Sequence, residues 1–328
     1  MATFGVEFEV ASLLDASTEA HFRTGSAAAR SRILLGAHVR LRRRLAQVDG
    51  TVLVQRQVGL LPPLGLERRA AAGSRLVYDV DDAIWNASDP AAGGHRLAGL
   101  KRGAHRAAWL AERADQVVAG NAILAEWLAA RTSAPVAIMP SLVDVDRIPQ
   151  RQHDVADTLL LGWIGSSTTR PHLDRVAAAL AAAAQAVPGV RLRLDIVGGG
   201  PMDIPGVEVR AIPWSVATEA SLLAEMDIGL MPLPDTPWTR GKCAYKAQQY
   251  MAAGVPVVAD DVGVSGQVIG DGGAGLLPSS DHAWTDALVT LISDVELRRR
   301  LGAEGRIRAE RDFSVTTRAP ELAKLILG

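Results

Sequence analysis

Cysteine is almost absent from this 328-residue chain: Cys243 is its only one, so a disulfide within the chain is impossible. Such a composition is typical of a reducing compartment, and we expect a cytoplasmic protein. No stretch approaches the roughly 18 uncharged apolar residues of a membrane span. The first residues also lack the basic and apolar segments of a signal peptide. We therefore expect neither a membrane-spanning helix nor a leader.

Charge of one sign is not in excess either, because the formal net charge is -1. No global field attracts nucleic acid or an anionic membrane, so any anion-binding surface must be local. The seven histidines are scattered, without cysteine partners or an H-x-x-x-H pair, which argues against a zinc site. No G-x-S-x-G motif is complete, so a serine nucleophile elbow is not expected. We therefore expect no cofactor and no metal.

Lysine is scarce, and two of the four lysines occur within the segment TRGKCAYK, Thr239–Lys246. A helical pattern over residues 243–253 places Lys242 and Lys246, four residues apart, on one face of its first turns. Positive charge at the start of a helix opposes the helix dipole and costs about 0.3–1 kcal/mol per charge. A solvated patch is one explanation, and a bound anion, most simply a diphosphate, is the other. The anion is favoured because the strand candidate Val255–Ala259 follows directly.

Apolar, β-branched runs alternate with helical patterns along the chain, which predicts parallel sheets covered by helices. Four strand candidates come first, at Val52–Gln55, Leu76–Val80, Gln116–Ala119 and Val136–Ile138. Six follow, at Leu159–Ile164, Leu192–Val197, Val207–Ala211, Ile228–Pro232, Val255–Ala259 and Gly275–Leu277. Helical patterns between them include Leu173–Ala186, Ala217–Met226 and Trp284–Asp294. The two series predict two doubly wound α/β domains, residues 1–145 and 146–328, divided within the polar segment Ser141–Thr158.

The segment LLLGWIGSSTTRP ends a strand on glycines, continues with four hydroxyl residues and opens a helix at Pro171. Small residues at a helix start let backbone N–H groups approach a phosphate. Hydroxyl residues in that position are also ordinary N-caps, so both explanations stay open. A later segment, DIVGGGP (Asp195–Pro201), lacks the G-x-G-x-x-G spacing, and a tight turn is favoured there over phosphate contact.

Together, several segments resemble family-4 (group 1) retaining glycosyltransferases of the GT-B fold, in their bacterial branch. The resemblance rests on LGWIGSS, GLMPL, KCAYKAQQYMAAGVPVV and FSVTTRA in the second half, and on RLVYDVDDAIW and ADQVVAGNAILAEWL in the first. It implies two Rossmann-like domains facing across a cleft, an N-terminal acceptor-side domain and a C-terminal domain that binds a nucleotide-sugar donor. The implied activity is retaining transfer of a sugar from that donor to an acceptor hydroxyl.

The resemblance assigns the donor diphosphate to two segments of the second domain. Lys242 and Lys246 would face the diphosphate and neutralise it without a divalent metal, with Arg240 nearby. The first loop of the domain would touch it through Gly165, Ser166 and Ser167.

Two positions depart from the family pattern. Gln249 stands where the family has a glutamate that binds the donor ribose. The family's other glutamate falls at Gly241, and Asp235 in the preceding loop is a candidate substitute.

Trp214 would lie near the nucleobase, where it either stacks on the base or fills core.

In the first domain, the resemblance places Asp81 or Asp82 near the transferred sugar as the candidate catalytic residues, with Trp85 bordering the cleft on the acceptor side. Capping of the following helix is the alternative role for these carboxylates. Gly25 and Ser26 are a loose counterpart of the family's glycine-rich loop. Because YDVDD contains a D-x-D string, a metal has to be tested.

The expected partners are the nucleotide sugar and a small-molecule, glycan or lipid-linked acceptor, with no nucleic acid. For the basic stretch HVRLRRRL (His38–Leu45), a solvated helix face is favoured over contact with an anionic acceptor or a membrane surface. Two other functions stay open. One is another enzyme of the same architecture, a sugar-nucleotide epimerase or a phosphorylase. The other is a non-catalytic nucleotide-sugar-binding protein, for which the missing glutamates argue.

Overall fold

The computed structural model describes residues 7–14, 18, 21, 24–58, 64–86, 103–270 and 272–328. Both sheets within these residues are parallel, one of four strands and one of six. The chain divides into two compact units. The described parts of 1–87, 96–139 and 319–328 form the first, and those of 140–318 form the second.

In the first unit, four parallel strands lie side by side in chain order: β1 Thr51–Gln55, β2 Arg75–Val80, β3 Gln116–Ala119 and β4 Val136–Ile138. Its helices include α1 Ala27–Leu45, α2 Gly65–Ala70, α3 Gly103–Arg113 and α4 Ala122–Ala129. The central strands β2 and β3 are mostly apolar and buried, with Val77, Tyr78 and Val117 at 0% exposure. Burial of consecutive residues is typical of a parallel sheet that carries helices.

A six-stranded sheet forms the second unit, and its strand order reverses at the centre. The strands are β5 Thr158–Ile164, β6 Arg191–Val197, β7 Val207–Ile212, β8 Ile228–Met231, β9 Val257–Ala259 and β10 Gly275–Leu276. Their order in space is β10-β9-β8-β5-β6-β7. The chain therefore winds outward from β5 to β7, then crosses back to β8 and winds the other way. Ligand sites of such sheets lie beyond the carboxyl ends of the strands at this reversal.

Helices connect these six strands, and a group of helices ends the chain. They are α5 Arg170–Asp174, α6 Ala177–Ala186, α7 Glu219–Glu225, α8 Pro237–Arg240, α9 Tyr245–Ala252, α10 Ser265–Ile269, α11 Asp281–Ser293, α12 Val295–Arg308 and α13 Val315–Leu327. A short 3-10 helix, Val145–Arg147, precedes β5, and a π-helical turn, Ala309–Phe313, separates α12 from α13.

All ten predicted strands are confirmed, nine of them to within one residue at each end. The exception is β9, which begins at Val257 because Pro256 has no N–H to donate to the ladder. The helix predicted over Leu173–Ala186 is interrupted, since α5 ends at Asp174 and α6 begins at Ala177.

The last helix divides between the two units, because its residues from Ala319 onward belong to the first. Arg75, at the start of β2, donates hydrogen bonds from Nη2 to Leu325 O (3.2 Å) and from Nε to Ile326 O (3.3 Å). The end of α13 is thereby attached to the first sheet. The predicted ranges, 1–145 and 146–328, leave these last residues with the second domain.

Candidate functional site

The loop after β5 leaves the sheet at the reversal and carries three predicted donor contacts, Gly165, Ser166 and Ser167. The N–H of Gly165 donates to Val197 O at the end of β6 (3.0 Å). A side chain at this glycine would place its Cβ 2.5 Å from Trp163 Cη2 and 2.9 Å from Thr169 Oγ1. The close packing of Trp163 therefore requires a glycine here, whether or not a ligand also approaches.

Ser166 shapes the turn that follows. Its Oγ lies 2.7 Å from Thr168 Oγ1, and its carbonyl accepts hydrogen bonds from the N–H groups of Thr169 (3.0 Å) and Arg170 (3.1 Å). Ser167 is exposed. The N-cap of α5 is Thr169, and it makes no side-chain capping bond. The hydroxyl groups of this loop are thus not used as ordinary N-caps of α5.

Lys246 approaches the same tryptophan from α9. Its Nζ lies 5.6 Å from the centroid of the Trp163 ring, within the range of a cation–π interaction. Trp163 is 1% exposed, whereas Lys246 is partly exposed. Gly165 and Lys246 therefore pack against one ring, which brings together two predicted donor segments that are distant in the sequence.

Lys242 does not share a helix face with Lys246, so that prediction was wrong. Helix α9 begins at Tyr245, and its N-cap Ala244 adopts the left-handed conformation with φ 52°. Lys242 precedes this turn, and its Nζ lies 5.4 Å from the centroid of the Trp238 ring. A non-glycine residue is rarely found at positive φ, and such strain persists only where the surroundings hold it.

The contacts that hold the turn are visible around Cys243. This cysteine is 6% exposed, and its carbonyl accepts a hydrogen bond from Nε2 of the fully buried Gln248 (3.1 Å). Among the described residues, no side chain caps the N-terminus of α9. The helix therefore begins beside Lys246 with no side-chain oxygen capping its first N–H groups, which suits an anion.

A carboxylate that the sequence reasoning did not identify joins two predicted residues. Glu219, in the first turn of α7, accepts hydrogen bonds at Oε1 from Trp214 Nε1 (2.9 Å) and from Gln249 Nε2 (3.0 Å). Trp214 is 51% exposed, so it does not fill core, while Gln249 is 4% exposed. The only sequence signal for Glu219 was an acidic residue at a helix start, which ordinarily reflects the helix dipole.

Gly198 lies close both to Trp214 and to the loop after β5. Its φ is 83°, and a Cβ there would lie 2.4 Å from Gly165 O and 3.3 Å from Trp214 Cβ. The tight turn predicted for DIVGGGP is confirmed, and it lets the ends of β5, β6 and β7 approach one another. We use the name donor-side cluster for the six residues so brought together: Trp163, Gly165, Trp214, Glu219, Lys246 and Gln249.

Asp235 and Arg240 pair with each other. Arg240 Nε lies 2.6 Å from Asp235 Oδ1 and Nη2 lies 2.8 Å from Oδ2, and both side chains are more than half exposed. The hydrogen bond lowers the pKa of Asp235 and raises that of Arg240. The positive charge of Arg240, at the end of α8, is therefore balanced by Asp235 in the loop before that helix.

In the first unit, Asp81 and Asp82 converge on an arginine that the sequence reasoning missed. Arg56 Nε lies 2.5 Å from Asp81 Oδ1, and Arg56 Nη2 lies 2.8 Å from Asp82 Oδ2. Arg56 follows β1 directly and has φ 62°, a strained conformation for a non-glycine residue. Its carbonyl accepts a hydrogen bond from the Tyr78 hydroxyl (2.9 Å) and its N–H donates to Asp79 O (2.9 Å), which fixes the turn.

Asp79, which is partly buried near the end of β2, belongs to the same acidic group. Burial, together with the charge of Asp81, raises the pKa of Asp79 to about 6, although Arg56 opposes the shift. The described residues contain no group of three or more histidine, cysteine, aspartate or glutamate side chains arranged to hold a metal ion.

The remaining acceptor-side residues have structural partners. Ser26 is the N-cap of α1, where its Oγ accepts from Ala29 N (3.3 Å), and Gly25 N–H donates to His21 O (2.9 Å). Trp85 stacks on Trp127 of α4, with ring centroids 3.8 Å apart and an interplanar angle of 4°.

Known structures share this architecture. Sucrose-phosphate synthase from Thermosynechococcus elongatus superposes with a TM-score of 0.61 at 17% identity, over 80% of this chain and 69% of that one. The crystal structure of Anabaena HepE in complex with UDP and glucose superposes with a TM-score of 0.63 at 15% identity, over 88% and 80%. The two parallel-sheet units are those of the GT-B fold, as predicted.

Sequence comparison finds a family match within the second unit. Residues 158–294, which contain the whole donor-side cluster, match the family described as glycosyl transferases group 1. A segment of 81 residues is 41% identical to the D-inositol 3-phosphate glycosyltransferase of Corynebacterium glutamicum (strain R), and it covers 24% of this chain and 19% of that protein. The family match thus lies within the second unit of this chain. The matched segment spans about a fifth of the relative. None of the described helices is long and apolar enough to cross a membrane.

Proposed function

We propose that the protein is a retaining glycosyltransferase that moves a sugar from a nucleotide-diphosphate sugar to an acceptor hydroxyl. The proposal rests on one observation: the residues of the donor-side cluster come together where the strand order of the second sheet reverses. Lys246 and the uncapped start of α9 suit the phosphates. The half-exposed Trp214 offers an aromatic face for a base, and the Glu219–Gln249 pair offers acceptors and donors for ribose hydroxyls.

In the proposed reaction, the bond between the anomeric carbon and the phosphate oxygen breaks, and a bond to the acceptor oxygen forms on the same face. The acceptor proton passes to the leaving phosphate. Negative charge grows on that phosphate as the sugar becomes oxocarbenium-like. A fixed cation there stabilises the transition state more than the ground state. Lys246 and Lys242 supply this charge without a divalent metal, and Asp81 and Asp82 are the candidate catalytic residues near the transferred sugar.

Calorimetry on matched variants tests the donor site. Lys246→Ala should weaken nucleoside diphosphate binding about ten- to hundredfold, because a hydrogen bond to a charged group contributes about 1.5–3 kcal/mol. UDP, the ligand of the Anabaena neighbour, and GDP are suitable probes. The free nucleosides should bind the variant and the parent alike. Lys324→Ala, which removes an exposed lysine from α13, is the control and should change neither affinity. Equal diphosphate affinity in all three proteins contradicts the assignment.

Turnover assays distinguish a retaining glycosyltransferase from the alternative functions. With a nucleotide sugar and a panel of acceptor alcohols, NMR should show a product whose anomeric configuration matches that of the donor. Nucleotide release without any acceptor would favour an epimerase, and dependence on inorganic phosphate would favour a phosphorylase. Tight binding without turnover across the panel would indicate a non-catalytic binding protein.

A further inference from the structure

Helix α1 is strongly basic. It contains six arginines and one histidine among its 19 residues, and no acidic residue. From the sequence, its last part, His38–Leu45, was expected to be a solvated face. The structure adds which apolar residues lie on the same side as the arginines.

One side of α1 packs on the first unit. Ala37 is 1% exposed and Leu41 is 5% exposed, and the helix contacts α2. Val39 lies two residues after Ala37 and two residues before Leu41. At about 100° per residue, it is therefore about 160° from each of them around the helix axis, on nearly the opposite side. Val39 is 45% exposed and Leu35, one turn earlier, is 68% exposed. Two large apolar side chains therefore face solvent opposite the packed side.

Three arginines border these apolar residues. At about 100° per residue, each of them lies within about 60° of Val39, and all are exposed: Arg32, Arg42 and Arg43. Arg44 points elsewhere, because its Nη2 lies 2.6 Å from Glu9 Oε1. We use the name basic–apolar face for Arg32, Leu35, Val39, Arg42 and Arg43.

We propose that the basic–apolar face docks on an anionic lipid bilayer. Exposed leucine and valine gain free energy on leaving water, and arginines around them are attracted to anionic headgroups. Helices that lie in the bilayer interface combine these two features. A protein partner would need acidic groups arranged around an apolar pocket, whereas an anionic bilayer offers a negative surface above apolar chains everywhere. The proposal does not depend on the proposed function, since it concerns the free protein and a lipid surface.

Sedimentation with vesicles tests the proposal in the absence of nucleotide or acceptor. The parent protein should bind vesicles of equal parts phosphatidylcholine and phosphatidylglycerol, and should not bind phosphatidylcholine alone. Added salt should weaken binding, because exposed charges are screened. Arg43→Glu should reduce affinity at least about fivefold, the factor for one arginine near the surface. Leu35→Gln with Val39→Gln should reduce it at least about tenfold.

Two controls make the test specific to this face. Arg40→Glu makes the same charge change on the same helix, about 100° from Val39, and should leave binding within about twofold of the parent. Val155→Gln removes an apolar residue that is 85% exposed on the second unit, and should have no effect. Circular dichroism should show all variants folded with the parent's melting temperature, because every altered side chain is exposed.

Three results would overturn the proposal. The first is absence of binding to anionic vesicles. The second is equal loss of binding in Arg40→Glu and Arg43→Glu, which would indicate a non-specific charge effect. The third is a dimer in solution that Leu35→Gln with Val39→Gln dissociates, which would show that a second copy covers the face.

Discussion

Gln249 and Glu219 form one hydrogen-bonded pair, with Gln249 Nε2 donating to Glu219 Oε1 at 3.0 Å. The family that the sequence resembles has a glutamate at position 249, whereas this chain has an amide there. The structure places a carboxylate beside that amide from a different helix, α7. The negative charge is therefore kept in the donor-side cluster, although the residue that carries it has changed.

Replacing Gln249 by glutamate should damage the protein rather than improve it. Two carboxylates about 3 Å apart cannot both ionise without strong repulsion. We expect Gln249→Glu to lower the melting temperature and to weaken nucleoside diphosphate binding at neutral pH. The loss should shrink as the pH falls and one carboxyl becomes protonated. Thermal melts and calorimetry across pH measure both effects.

The exchanged pair is the matched control. Glu219→Gln combined with Gln249→Glu restores one carboxylate and one amide, so stability and affinity should recover most of what Gln249→Glu loses. If the double variant is as impaired as the sum of the single ones, the two side chains do not act as a pair.

Gly165→Ala should perturb the site through Trp163. The added Cβ would lie 2.5 Å from the buried ring, which has to shift and carries the contact with Lys246. We expect a loss of about 1–3 kcal/mol in the free energy of unfolding, together with weaker diphosphate binding. Chemical denaturation and calorimetry measure the two effects.

Gly189→Ala is the control for this substitution, because a Cβ at Gly189 meets no atom within 4 Å. That variant should match the parent in stability and affinity. If Gly165→Ala is equally neutral, the packing explanation for this glycine fails.

The stability of the first unit should depend on pH through Asp79. The pKa of Asp79 is about 6 in the folded protein against an ordinary 3.8, so the folded state holds the proton more tightly. Stability is therefore lost as the pH rises from about 4 to about 6, where the unfolded chain ionises Asp79 and the folded protein does not, and the loss stays constant at higher pH. Asp79→Asn should be more stable than the parent at pH 7.5 by about 2–3 kcal/mol. The difference should shrink below pH 6 and vanish below about pH 4. A constant difference across this range would show that ionisation of Asp79 is not responsible.

Donor binding and transfer should persist in excess EDTA. The carboxylate of Asp81 is engaged by Arg56, at 2.5 Å from Nε and 2.9 Å from Nη2, so it is not presented with Asp79 as a metal-binding pair. The expected result is unchanged nucleoside diphosphate affinity with and without the chelator. Complete loss that magnesium or manganese restores would show that these aspartates hold a metal.

The strands were predictable from the sequence because buried parallel strands are continuous apolar runs. The start of α9 was not, because nothing in KCAYK distinguishes an alanine that will adopt the left-handed conformation from one that will extend a helix. The prediction therefore put Lys242 on the helix, whereas in the structure it precedes the helix and lies over Trp238. Glu219 and Arg56 were missed for another reason: their partners lie in other elements, and sequence spacing does not record which loops meet at a sheet edge.

The attachment of α13 to β2 has a consequence for the order of folding during synthesis. Arg75 leaves the ribosome early, but Leu325 and Ile326, whose carbonyls it binds, are added only after the whole second unit has been made. Domains fold as units while the chain emerges. We therefore expect the six-stranded unit to fold before the four-stranded unit, which is incomplete until the end of α13 has been synthesised. A released chain that ends at Arg318 should accordingly resist protease in its second unit and be cleaved in its first.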